Sequence, residues 1–213
     1  AMRKSLRKTN YALLMAAKEG DIEAVKKYLD KGAEINVMAR ASGQKFEGWW
    51  SGEFNSLHTA TQSNNDELVK LLIARGADVN VLADRGYNGL QGYTALSYAV
   101  SNGNVGLAEF LISKGANLNP EGRPTLHSAV KTPKNRKELV ELLILKGANV
   151  NQLSLPKYGD TALHDAVQRI DNIEVIRLLL AKGARTGKEL RAETDIHYAA
   201  ANELLAEMDE LWT

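Results

Sequence analysis

The stretch NSLHTATQSNNDELVKLLIARGADVN (Asn55–Asn80) decides the fold. It opens on a short signal, NSLHTAT, and closes on a second one, ARGADVN. Between them Leu68, Val69, Leu71 and Leu72 recur at helical spacing and make one buried face. Gly76 then stands where a helix is expected to stop, because glycine adopts the left-handed C-cap conformation that other residues resist. A single helix pair of this kind cannot cover its own apolar face.

The same two signals return along the chain. The glycine signal reads DKGAEIN, ARGADVN, SKGANLN, LKGANVN and AKGARTG, with Gly32, Gly76, Gly115, Gly147 and Gly183 at its centre. The first signal reads YALLMAA, NSLHTAT, TALSYAV, PTLHSAV and TALHDAV, and a last copy, TDIHYAA, has no Gly-Ala after it. From the leucine of the first signal to the glycine of the second the step is 19, 19, 19, 21 and 20 residues. Thr94, Thr125 and Thr161 are expected to cap the short first helices. Ala99, Ala129 and Ala166 keep those helices thin, so that neighbours approach closely. Asn80, Asn119 and Asn151 read as turn residues tied to local backbone. Stacked copies bury together what one copy exposes.

This pattern resembles the ankyrin repeat, whose signature is a T-P-L-H-x-A segment on a period of about 33 residues. The chain carries T-A-L-H or T-L-H in that place. The resemblance implies an all-α ankyrin-repeat α-solenoid with hairpin or loop fingers between helix pairs. It covers a single domain over 10–213, with repeats near 10–40, 54–83, 93–121, 123–152 and 160–187. Residues 193–213 are expected to form a partial repeat and C-terminal cap, with Leu204, Leu205, Met208 and Leu211 on one apolar face. Residues 1–9 read as a leader or N-terminal cap. In this family the fingers and the first helices line a concave binding surface, which implies a protein partner.

Departures from the period mark what is individual. A regular repeat leaves about 14 residues between the glycine and the next first-helix leucine. Here Gly32 to Leu57 is 25 and Gly76 to Leu96 is 20, whereas Gly115 to Leu126 is only 11. The first two fingers are therefore extended, and insertions on one face of a repeat stack are often the binding face. The first insertion contains KFEGWWSGEF (Lys45–Phe54), with two of the three tryptophans and two of the three phenylalanines of the chain. Aromatic side chains dominate interface energetics and lose little rotamer freedom on binding. The expected partner-binding residues are Phe46, Trp49, Trp50 and Phe54, then Arg85, Tyr87, Leu90 and Tyr93 of the second finger, and Tyr158 of the fourth. The competing reading packs the two long fingers on each other as a satellite core.

Chemistry is poorly represented. His58, His127, His164 and His197 all occupy one repeat position, which makes a ladder of histidines bonded to backbone, not a converging site. HExxH pairs, a phosphate-binding glycine loop and a G-x-S-x-G elbow are all missing from the sequence. The chain has no cysteine, which excludes disulfides and thiolate chemistry. Net charge is +1, so no overall field draws it to nucleic acid or an anionic membrane. The basic run KTPKNRKE (Lys131–Glu138) reads as a solvated turn between helices, lacking aromatics for base stacking.

The reading is a non-enzymatic protein-binding module with no metal and no cofactor, monomeric and cytoplasmic. One alternative is a bacterial effector that binds a host protein after translocation without a classical signal peptide. An enzyme with a site between the long fingers, and self-association through the aromatic finger, are the others.

Overall fold

A computed structural model describes residues 2–40, 53–83, 92–122, 124–154, 159–169 and 172–186. Ten helices form five consecutive pairs among these residues. They are α1 (Met2–Glu19) with α2 (Ile22–Asp30), α3 (Ser56–Gln62) with α4 (Asp66–Ala74), and α5 (Ala95–Ser101) with α6 (Val105–Ser113). After these come α7 (Thr125–Lys131) with α8 (Arg136–Leu145), and α9 (Ala162–Val167) with α10 (Ile173–Ala181). Helix α1 starts at Met2, so the segment read as a leader continues the first helix. The expected cap over 193–213 and its His197 lie outside the described residues.

The chain packs as two compact units, one of residues 1–102 with 106–116 and another of 103–105 with 117–213. In the first unit α3 lies between α1 and α5, and its core holds Leu13, Leu57, Leu68, Leu72, Leu96, Leu107 and Leu111, all fully buried. In the second unit α7 packs on α8 and α9, and α10 on α9 and α8, around Leu126, Leu139, Leu143, Leu163 and Ile176. The small residues do what their size suggests: Ala99, Ala129 and Ala166 are completely buried on the short helices.

Every second helix stops in the same way. Gly76 has φ +92°, its N–H bonds to Ile73 O, and the Ala77 N–H reaches back to Leu72 O at 3.0 Å. This double bond pattern satisfies the last carbonyls of α4 and is repeated after α6, α8 and α10. An added Cβ at Gly76 would meet nothing, so the glycine is there for its dihedral angle and not for space.

The repeated asparagines depart from expectation. Local turns are made by the residue two places earlier: Asp78, Asn117 and Asn149 accept from the N–H of Asn80, Asn119 and Asn151. The expected turn residues bond to the next repeat instead. Asn80 donates to Gly115 O at 3.0 Å, Asn119 accepts from the Asn149 N–H at 2.8 Å, and Asn151 donates to Gly183 O at 3.0 Å. An amide carries both donor and acceptor, so one side chain can serve two backbone groups of the next repeat's turn, as Asn151 does with Gly183 O and the Arg185 N–H.

Candidate functional site

Both long fingers are closed at their bases by backbone pairing. Strands β1 (Ala39–Arg40) and β2 (Glu53–Phe54) run antiparallel, with Ala39 opposite Phe54 and Arg40 opposite Glu53. The chain thus leaves the first repeat at Arg40 and rejoins the second at Glu53. A bridge between Ala83 and Tyr93 brackets the second finger, its Ala83 N–H bonded to Tyr93 O at 2.9 Å. Gly92 has no room for a side chain, since a Cβ there would run into the Ala83 carbonyl. The trimmed third finger closes through Thr125 N–H to Leu118 O at 3.3 Å. The fourth closes through Ser154 N–H to Asp160 O at 2.9 Å, and Ser154 Oγ accepts from the Asp160 N–H.

Of the expected partner-binding residues, Phe46, Trp49, Trp50, Arg85, Tyr87, Leu90 and Tyr158 lie outside the described residues. Phe54 and Tyr93 are described, and both belong to finger bases. Phe54 is only 6% exposed, so in this arrangement it packs inward and offers little contact area. The reason is register: it pairs with Ala39 and immediately precedes the cap of α3. Tyr93 is half-buried and stacks on Tyr98 of α5 at 5.2 Å between centroids, and Tyr98 in turn meets the edge of His58 at 6.1 Å. Half of Tyr93 is thus spent on its own repeat.

The histidine position ties each first helix to the following finger. His58 is fully buried; its Nδ1 accepts from the Asn55 N–H at 3.2 Å, and its Nε2 donates to Val81 O at 2.8 Å. Asn55 Oδ1 accepts from the His58 N–H, which completes a reciprocal cap. The ring must be neutral to accept at Nδ1, and burial lowers its pKa from 6.5 to about 4 despite the bond to Val81.

Thr94 and Thr161 cap α5 and α9 as expected. Thr125 does not cap α7. Pro124 occupies that place and has no side-chain acceptor, and Thr125 Oγ1 is buried without a hydrogen-bond partner among the described residues. The shift is visible once the repeats are aligned on leucine: Thr94 and Thr161 stand two residues before Leu96 and Leu163, whereas Pro124 stands two before Leu126. His127 of α7 has a partner that the sequence reading missed. Its Nδ1 lies 2.7 Å from Asp165 Oδ2 on α9, and its Nε2 lies 3.1 Å from Gln152 O. Lys131 Nζ takes the other carboxylate oxygen at 2.9 Å. His164, at the same position in the next repeat, faces Asp160 at 3.4 Å.

The basic run forms the α7–α8 turn, with Lys134 exposed and Asn135 left-handed at φ +50°. Asn135 is half of a local fastening, donating to Gly103 O at 2.9 Å. Among the described residues, no group of three or more His, Asp or Glu is set to hold a metal ion. No helix among them is long and apolar enough to cross a membrane.

Comparison with known proteins agrees with this architecture. A family model described as ankyrin repeats, in three copies, matches residues 3–83, 57–154 and 122–189. A search of curated proteins found no match. Helix pairs closed by left-handed glycines, joined by fingers paired at their bases and covered end to end from residue 3 to 189, place the chain in the ankyrin-repeat family, with its all-α solenoid fold.

Proposed function

We propose that the protein is a non-enzymatic module that grips a partner protein with its two long fingers and the first-helix face beside them. Ankyrin repeats generally mediate binding between proteins. The reading rests above all on where the extra residues stand. The largest insertions fall in the fingers while the second helices keep to 9 or 10 residues, and each long finger is fastened at its base by antiparallel pairing. Such a base holds an inserted segment at a fixed point on the repeat, which lowers the ordering cost of binding. Trp49 and Trp50 are the principal anchors in this proposal, and Phe46, Arg85, Tyr87, Leu90 and Tyr158 are its further partner-binding residues. Phe54 and Tyr93 support the bases and add little contact of their own.

The test is affinity capture with the wild type and the Trp49→Ala/Trp50→Ala double variant, after equal melting temperatures have been established. A partner held by wild type is expected to be lost at least tenfold by the variant, since anchor aromatics carry about 2 kcal/mol or more each. Equal capture by both proteins would assign the tryptophans to packing and sink the finger reading.

A further inference from the structure

The His127–Asp165–Lys131 cluster has no role in the proposed binding surface, and its geometry constrains protons. Nε2 of His127 faces the Gln152 carbonyl, which only accepts. Nδ1 faces a carboxylate oxygen at 2.7 Å. A neutral ring with its proton on Nε2 would need Asp165 to be protonated and to donate. That arrangement conflicts with Lys131, which stands 2.9 Å from the other Asp165 oxygen and stabilises the ionised form. Burial pushes the Asp165 carboxyl up, but the hydrogen bonds from His127 and Lys131 outweigh it and leave it below its ordinary value. A neutral ring with its proton on Nδ1 would set a lone pair against the Gln152 carbonyl. Only an imidazolium donates at both nitrogens.

The sequence supplies the reason that this ring is free to do so. In His58 the backbone N–H of the capping residue Asn55 occupies Nδ1 and fixes the neutral form. The equivalent residue before His127 is Pro124, which has no N–H to give. Proline thus vacates Nδ1, and a carboxylate from the next repeat takes it.

We infer that His127 is an imidazolium pinned between Asp165 and the Gln152 carbonyl, a proton-dependent latch that fastens α7 to α9 and to the finger following α8. Among the described residues of this unit, charged groups stand on each helix packed against it. On α7 there is Lys131, and on α9 there is Asp165, whose neighbour His164 is turned to Asp160. On α8 Arg136 donates to Thr132 O and Lys137 pairs with Glu174, and from the described part of the finger the Gln152 carbonyl meets the ring. Loss of the ring proton would leave one nitrogen facing an acceptor and loosen the junction. Acidification loosens the other unit instead, at His58.

Nitrogen-15 spectra of the histidine rings in the full chain test this directly. At near-neutral pH His127 is expected to show two protonated-type nitrogens, and His58 one protonated and one bare. Pro124→Thr restores an N–H and a capping hydroxyl, and is expected to return His127 to the pattern of His58. Asp165→Asn is expected to lower the imidazolium population without altering the His58 signals. In the wild type, amide protection in α9, corrected for intrinsic exchange, should fall about tenfold as the ring loses its proton, the worth of one charge-assisted bond. A bare nitrogen on His127 in the wild type at near-neutral pH would overturn the inference. An unchanged His127 pattern in a folded Pro124→Thr variant would overturn the role given to the proline.

Discussion

His58 in the first unit and His127 in the second stand at one repeat position, and their surroundings ask opposite things of them. His58 accepts at Nδ1 and donates at Nε2, as a neutral ring must. His127 faces acceptors on both sides. The same residue type is a buried cap in one repeat and half of an ion pair in the other. Two things separate them: a backbone hydrogen, present on Asn55 and missing on Pro124, and the facing residue of the next repeat, Tyr98 beside His58 and Asp165 beside His127. Repeat position therefore does not fix a side chain's chemistry. The backbone donor three places earlier and the residue facing it from the next repeat do so together.

The largest expected contrast is with acid. An unfolded His58 takes a proton below 6.5, whereas the folded one refuses it until about 4. Stability from this site is complete above 6.5 and is lost as pH falls from 6.5 to 4, by about 3 kcal/mol in all. Asp165, held below its ordinary value, keeps its contribution over that window and loses it only as pH falls through its own lowered titration. Hydrogen exchange at pH 5 against pH 7, resolved by helix, should show α3 losing protection well before α9. Uniform loss in both would break the comparison.

A smaller effect is expected at the base of the second finger. Gly92→Ala forces a methyl group into the Ala83 carbonyl and should open the Ala83–Tyr93 bridge. The expected cost is about 1–3 kcal/mol, read from the denaturant midpoint. Tyr93 should unstack from Tyr98, which a shift in the Tyr98 ring resonances would report. The fourth finger base, closed by Ser154 and Asp160, should be unaffected.

The smallest effects sharpen the comparison by sign. Thr94→Val removes the acceptor that caps the Ser97 N–H, and should cost about 1 kcal/mol. Thr125→Val removes a buried hydroxyl without a hydrogen-bond partner among the described residues, and should leave stability level or slightly higher. Paired thermal melts of the two variants decide it. Equal losses would mean that Thr125 is a cap after all.

Much of this was legible before any coordinates. The helix pairs followed from Leu68, Val69 and Leu72 and their counterparts, because burial of an apolar stripe at helical spacing needs no long-range information. Gly76 and its equivalents announced the helix ends through a dihedral preference that belongs to the residue itself. The finger insertions followed from counting between Gly32 and Leu57 and between Gly76 and Leu96. Other readings failed where the partner is distant in sequence. Asn80 looked like a local turn residue, yet its amide reaches Gly115. Thr125 looked like a cap because its motif resembles the others, and a one-residue offset placed Pro124 there instead. Phe54 was open to two readings, partner contact or inward packing, and strand pairing with Ala39 turns it inward.

Sequence by itself determined the family, the number of helix pairs in the described residues and the position of the insertions, since each rests on a periodic pattern or a residue's own backbone preference. Tertiary structure alone decided which asparagine amide spans to which repeat, how each finger closes, and what faces each histidine. The asparagine spans and the ties of His58 and His127 to later elements depend on groups brought together from some 23 to 38 residues away, as with His58 and Val81 or His127 and Asp165, and no local rule carries that distance.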